Sequence, residues 1–256
     1  MASEDRAAET VPLPSAIPDG AGAPPAAVEL RAAHELAAAA EMQPQVGPEG
    51  AIGLERLMFF SDAVFAIAIT LLVIDLRLPA LPPHATNDQL VDALRAVAPG
   101  VAAYALSFTV VGLYWLGHWR RFHYVVRADQ RLAMTNLLLL GLVAFIPFPT
   151  AVMGEHGDLP AAVLLYAGTL ALAGLASLLT WIYAARAGLT APGVTPAIVR
   201  YGTIRGLAVP LVMAGSLVLL PIGGTSLAEY SWLAIFIVQP LLTRRFRPPG
   251  EIARGL

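Results

Sequence analysis

An ionisable side chain inside an apolar segment is the first candidate for chemistry in this sequence. Asp62 lies in a predominantly apolar stretch, residues 57–76, with Ser61 beside it and Thr70 further along. A helix of that length, at about 1.5 Å per residue, spans a hydrocarbon core of about 30 Å. An ionisable group in such a span costs about 2.5–3.5 kcal/mol on insertion scales. We therefore expect Asp62 to face protein or water and not lipid.

The same stretch, folded as a helix, presents a second face of aliphatic side chains. With about 100° per residue and Asp62 as the origin, Ile74 falls at about 120° and Ile67 at about 140°. Leu71 falls at about 180° and Thr70 at about 80°, at the margin of this face. Such a stripe contacts lipid or packs on a neighbour, or it forms narrow aliphatic rings when several copies surround an axis. The spacing alone leaves these interpretations open.

Composition and motifs limit the class of protein. The 256 residues are 57% hydrophobic and 13% charged, whereas soluble domains carry about 25% charged residues. The absence of cysteine excludes disulfides, thiolate metal sites and cysteine nucleophiles. The sequence contains no metal-binding histidine spacing, phosphate loop or nucleophile elbow. We therefore predict a membrane protein that is not an enzyme, with no catalytic residue, metal site or cofactor and no nucleic-acid partner.

The pattern of apolar segments predicts an all-α membrane protein with six transmembrane helices. The segments are residues 57–76, 98–118, 133–153, 160–185, 203–221 and 226–243. They make up a predicted six-helix transmembrane domain, residues 51–246. Residues 1–50 are rich in Ala and Pro and predict a disordered N-terminal tail, in which 26–42 forms at most a short helix. Residues 247–256 are a short cytoplasmic tail.

Arginines concentrate at one end of the predicted bundle. They are Arg56, Arg120, Arg121, Arg127, Arg131, Arg186, Arg200, Arg205, Arg244, Arg245, Arg247 and Arg254. The opposite end has Arg77 and Arg95, together with Asp88, Asp92, Glu155, Asp158 and Glu229. The positive-inside rule therefore places both termini in the cytoplasm. An even number of spans agrees with this orientation.

Polar and aromatic residues also lie near the cytoplasmic ends of the second and third segments. The second segment ends with Trp115 and His118, and the third begins with Asn136. Polar groups at similar depth in lipid should pair, because an unpaired one is costly. We therefore predict one hydrogen-bonded cluster that fixes the rotation of the first helix, made of Ser61, Asp62, Trp115, His118 and Asn136. The alternative for Trp and His is an interfacial belt at the headgroups.

Three motifs in order carry a family resemblance. The first helix has Arg56-x-x-x-Phe60-Ser61-Asp62 followed by AVFAIAITLL. The second has Tyr114-Trp115-x-x-His118-Trp119, and the third has Asn136-Leu137 and then Phe145-x-Pro147-Phe148-Pro149-Thr150. This pattern resembles the prokaryotic relatives of the lysosomal potassium channel called transmembrane protein 175. The lysosomal channel is understood to carry two six-helix units, and this chain has one.

The resemblance implies a potassium-permeable cation channel in the bacterial inner membrane, a multi-pass protein that forms a homotetramer in the lipid bilayer. Potassium ions would pass along a pore lined by the first helix of each subunit. By matching positions, Ile67 forms the narrowest ring, Leu71 and Ile74 form rings further out, and Thr70 shapes selectivity. Arg56 and Phe60 belong to the first-helix motif.

Two other functions remain compatible with these residues. A proton-conducting channel would use Asp62 and His118 as a relay, and both groups would then be lined by water. A non-conducting membrane scaffold would use the aliphatic stripe of the first helix only as a seam between copies.

Overall fold

The computed structural model describes residues 48–246, with side chains from Gly53 onward. The predicted short helix at 26–42, the tail at 247–256 and nearly all of the predicted disordered tail at 1–50 lie outside the described residues. The first helix already begins at Pro48.

The described residues form seven α-helices and no extended strand. The helices are α1 (Pro48–Leu71), α2 (Asn87–Phe122), α3 (Gln130–Phe145), α4 (Pro147–His156), α5 (Pro160–Arg186), α6 (Pro196–Trp232) and α7 (Ile235–Phe246). One isolated antiparallel bridge joins Val125 to Thr190 across two loops. The all-α prediction is confirmed over this part of the chain.

Four helical stretches are long and apolar enough to cross a membrane. They are α2, the α3–α4 pair (Gln130–His156), α5 and α6. By contrast, α1 contains four charged residues, Glu49, Glu55, Arg56 and Asp62, and α7 is only 12 residues long. By length and composition alone, four helical stretches therefore qualify as membrane spans, whereas six spans were predicted.

The third predicted segment is divided into α3 and α4 by proline. Pro147 and Pro149 lack backbone N–H groups, so the helix ladder is interrupted there. The N–H of Ile146 bonds to the carbonyl of Val143, a tightened turn, and the N–H of Thr150 resumes the ladder at the carbonyl of Ile146. The two helices consequently follow one another directly.

A pair of glycines interrupts α6 between the fifth and sixth predicted segments. Gly223 has φ −131° and ψ 16°, and Gly224 has φ 70° and ψ −168°, a conformation that is essentially restricted to glycine. Beyond the break the chain packs on α5, where the ring centroids of Trp232 and Tyr166 are 5.0 Å apart. The 37 residues of α6 are therefore two helical segments with a sharp turn between them.

Small residues allow α5 and α6 to pack closely. A Cβ atom at Gly174 would lie 2.4 Å from Cγ of Pro210, and one at Gly206 would lie 2.6 Å from Cδ1 of Leu178. Close backbone approach through small residues is the usual basis of helix association in membranes. Most of α5 is buried, so this helix forms the centre of the bundle.

The break in α6 leads to a first prediction. Gly224→Ala should destabilise the protein by about 1–3 kcal/mol, because a Cβ is strained at that φ and ψ. Gly215→Ala is the matched control, since Gly215 lies within the helix and a Cβ there has nothing within 4 Å. Alanine at that site should stabilise the helix by about 0.5–1 kcal/mol. The measurement is the Tm of each purified variant in detergent, and a Gly224→Ala variant at least as stable as Gly215→Ala would contradict the argument.

Candidate functional site

One face of α1 is buried against the rest of the protomer. Ser61, Phe65 and Ala68 are all at most 1% exposed, and Leu72, just beyond the end of the helix, is 2% exposed. The spacing of four and three residues keeps the first three on one side of the helix. Of this buried face, only Ser61 was predicted from the sequence. Phe65 follows Ser61 by four residues, and this i, i+4 spacing could have identified the rest of the face.

A chain of buried hydrogen bonds connects α1 to α3 and α2. Nδ2 of Asn136 donates to Oγ of Ser61 at 2.9 Å, and Nε2 of His118 is 2.9 Å from Oδ1 of Asn136. Because that amide oxygen only accepts, His118 donates through Nε2. The Ser61 hydroxyl donates in turn to the carbonyl of Leu57 at 2.8 Å. Asn136 is fully buried and His118 is 4% exposed.

Aromatic rings enclose His118. Its ring stacks on Phe122 with centroids 4.1 Å apart, and the ring of Phe65 lies at 5.6 Å. Phe122 follows His118 by four residues, so both are on one face of α2. His118 is consequently enclosed largely by protein.

The structure divides the predicted cluster into two groups. Asp62 and Trp115 form the second, in which Nε1 of Trp115 donates to Oδ1 of Asp62 at 2.9 Å. Both side chains are exposed, whereas we predicted that they would belong to one cluster with the other three residues. Asp62 is the residue after the fully buried Ser61 and is rotated from it by about 100° around the helix axis. Its carboxylate therefore lies at the edge of the interface with α2.

The remaining motif residues of α1 are exposed. Arg56 is exposed, and Phe60 is 52% exposed. Neither belongs to the two hydrogen-bonded groups.

The aliphatic residues of the predicted stripe are exposed on α1 and just beyond it. Ile67 is 58%, Leu71 39% and Ile74 59% exposed, and Thr70 is also exposed. Oγ1 of Thr70 donates to the carbonyl of Ile67 at 2.9 Å. Helix α1 ends at Leu71, earlier than the predicted residue 76, and the backbone continues in turns closed by bonds such as Ile74 N–H to Leu71 carbonyl. Ile74 therefore lies beyond the regular helix.

Asp129 fixes the start of α3, the helix that carries Asn136. Its carboxylate accepts from the N–H of Leu132 at 2.7 Å and from the hydroxyl of Tyr183. Burial raises the pKa of Asp129, but these hydrogen bonds outweigh that effect, so the pKa lies below its usual value. The stabilisation is present above the ordinary carboxyl pKa and is lost as the pH falls through the lowered one.

The buried chain leads to a second prediction. Asn136→Leu should destabilise the protein by about 2–4 kcal/mol, because it removes two hydrogen bonds, leaves the buried Nε2 of His118 unpaired and removes the donor to Ser61 Oγ. Trp115→Phe removes one exposed bond and should cost about 1 kcal/mol or less. Thermal unfolding in detergent at neutral pH measures both. Equal losses for the two variants would refute the greater importance of the buried chain.

Comparisons with known proteins identify relatives of this chain. The family model described as "Endosomal/lysosomal potassium channel TMEM175" matches residues 56–147. A potassium channel of Streptomyces collinus is 35% identical over 210 residues, which cover 76% of this chain and 98% of that protein. The human endosomal/lysosomal proton channel TMEM175 is 29% identical over 118 residues, 46% of this chain but 23% of that protein.

A solved structure agrees in fold. The crystal structure of a lysosomal potassium-selective channel TMEM175 homolog from Chamaesiphon minutus superposes with a TM-score of 0.59 at 28% identity, covering 77% of this chain and 99% of that one. The family-model match covers α1 from Arg56 onward, α2 and α3, the three helices joined by the buried chain from Ser61 to His118. This chain therefore belongs to the TMEM175 family of ion channels.

Proposed function

We propose that this chain is a potassium-permeable cation channel that forms a homotetramer, with α1 of each subunit lining the pore. The observation that carries the proposal is the division of α1 into two faces. Ser61, Phe65 and Ala68 are buried in the protomer, whereas Ile67 and Thr70 are exposed on the other side. The potassium channels among the relatives support the choice of ion.

Aliphatic rings would restrict ion flow by excluding water. Around a four-fold axis, Ile67 would supply the narrowest ring, and Leu71 and Ile74 would supply rings further along. A hydrophobic constriction of this kind gates by dewetting, so an ion must lose part of its hydration to pass. The chemistry is passive and involves no covalent step.

Thr70 would replace part of the lost hydration. The hydroxyl hydrogen is already given to the carbonyl of Ile67. The lone pairs of Oγ1 are therefore left for a cation or its water. A ring of four such oxygens next to the Ile67 ring would favour an ion that is partly dehydrated.

The proposed arrangement in the membrane has six spans with both termini in the cytoplasm of a bacterial cell. The spans are α1, α2, α3 with α4, α5, the part of α6 before Gly223, and the remainder of α6 with α7. The breaks at Pro147 and Gly223–Gly224 are compatible with this division. Arg244 and Arg245 at the end of α7 would lie at the cytoplasmic surface, where arginine is enriched.

Proton conduction is the second candidate, and the name of the human relative is the observation that favours it. A relay from Asp62 to His118 would need a continuous set of groups that both accept and donate protons. Asp62 is bonded to the indole N–H of Trp115, which only donates, and His118 is bonded to an amide. The contacts therefore favour potassium over a side-chain proton relay.

Substitution at the proposed constriction gives a third prediction. Ile67→Asn should wet the narrowest ring and raise potassium flux about tenfold, which corresponds to about 1.4 kcal/mol off the barrier. Selectivity for potassium over sodium should fall, and assembly should be unchanged. The measurement is cation flux from liposomes that contain purified protein, together with the mass of the assembled oligomer.

The control is Leu172→Asn, an exposed residue of α5 outside the proposed pore, which should leave flux at the wild-type level. Altered assembly with unchanged flux in Ile67→Asn would favour the scaffold. Flux of protons that persists without potassium and is insensitive to Ile67→Asn would favour the proton channel.

A further inference from the structure

A cavity lies between α2, α5 and α6, away from the exposed stripe of α1. Its volume is about 70 Å³. Its lining includes Leu116, Arg120, Arg121, Ser177, Ile198 and Arg205. Three of these side chains are arginines and none is acidic. A buried water needs about 10–15 Å³, so the cavity has room for a group of several heavy atoms.

Arg121 is fixed on one wall of this cavity. Its Nε donates to the carbonyl of Gly117 at 2.8 Å, and its Nη2 donates to Oγ of Ser177 on α5 at 2.6 Å. Glycine makes room for the side chain, because a Cβ atom at Gly206 would lie 3.1 Å from Nη1. The guanidinium is therefore bonded to neutral groups of α2 and α5 and lies close to Gly206 of α6.

Arg205, on α6, brings a second positive charge to the same cavity. Its Nη1 donates to the hydroxyl of Tyr201 at 3.3 Å, and the guanidinium lies 5.9 Å from the centre of that ring. Arg205 is close enough to Arg121 for the two charges to interact. Because a guanidinium has five N–H donors, Arg205 has donors beyond the one directed at Tyr201.

The two charges lack an acidic partner within the described part of the chain. The ion pairs found among residues 53–246 are Arg95 with Asp92 and His156 with Glu155, and none of these four residues lines the cavity. A partly buried cation without a counter-ion is costly. Two of them beside one cavity create a positive potential that attracts an anion.

We propose that this cavity binds a phosphate group, carried either by the headgroup of an anionic lipid or by a soluble phosphate. Arginine matches phosphate geometry through two parallel N–H bonds, and the free donors of Arg205 supply them. The rest of the wall is largely apolar, with Leu116 and Ile198 among its members. Basic pockets between transmembrane helices on the cytoplasmic side suit lipid headgroups, and the arginine-rich end of the bundle has that orientation in the proposed arrangement.

The test measures ligand-induced changes in the Tm of the purified full-length protein in non-ionic detergent. The two probes are dioctanoyl phosphatidylglycerol and sodium phosphate. Dioctanoylglycerol, which lacks the phosphate, and sodium chloride at matched ionic strength are the controls. A saturating concentration of the bound probe should raise the Tm of the wild type by about 4 °C over its control.

Arg205→Gln identifies the site, because Arg205 has fewer structural bonds than Arg121. In Arg205→Gln, the Kd for the probe that binds should rise at least about tenfold, because one charge-assisted hydrogen bond is lost. Arg200→Gln is the matched control: Arg200 is exposed on the same helix and does not line the cavity. It should bind like the wild type. Arg205→Lys keeps the charge without the planar guanidinium, so its Kd should lie between those of the wild type and Arg205→Gln.

A response to the lipid alone assigns the phosphate to a headgroup, and a response to sodium phosphate assigns it to a soluble source. The proposal is overturned when neither probe raises the Tm beyond its control. It is also overturned when Arg205→Gln binds as tightly as the wild type. If Arg205→Gln does not fold, the proposal is overturned when Arg205→Lys binds as tightly as the wild type. The measurement is independent of flux, so this result and the test at Ile67 stand or fall separately.

Discussion

The hydrogen bonds of Asn136 determine how α1 is rotated in the protomer. Asn136 is fully buried and bonds to α1 through Ser61 and to α2 through His118. A rotation of α1 by one residue position would move Ser61 by about 100° and leave a buried amide unpaired, which costs about 1–3 kcal/mol. The rotation in turn determines which side chains face outward. The position of Ile67 is thus a consequence of a polar contact on the opposite side of the helix.

Much of this arrangement can be predicted from the sequence, because a lipid bilayer constrains both the length of each helix and the placement of polar groups. Apolar segments and their ends are set by membrane thickness and by the need to satisfy backbone groups within each segment. Polar residues such as Ser61 and Asn136 stand out against that background, and their equal depth predicts that they meet. The division at Pro147 and the turn at Gly223–Gly224 likewise have local causes, proline without an N–H and glycine at positive φ.

Other features depend on packing and were beyond sequence reasoning. The end of α1 at Leu71 has no local breaker in the sequence. The exposure of Asp62 follows from where α2 lies beside α1. The arginine-lined cavity arises because Gly174 and Gly206 let α5 and α6 approach closely while Arg121 reaches across from α2. The residues that line this cavity are distant along the chain, so no local sequence motif predicts it.

Adjacent residues on α2 bond to opposite neighbours. The Tyr114 hydroxyl donates to the Leu170 carbonyl of α5, and the Trp115 indole donates to Asp62 of α1. Turning α2 about its own axis would strain the bond to α1 and the bond to α5 together, so these two neighbours restrain its rotation from two sides.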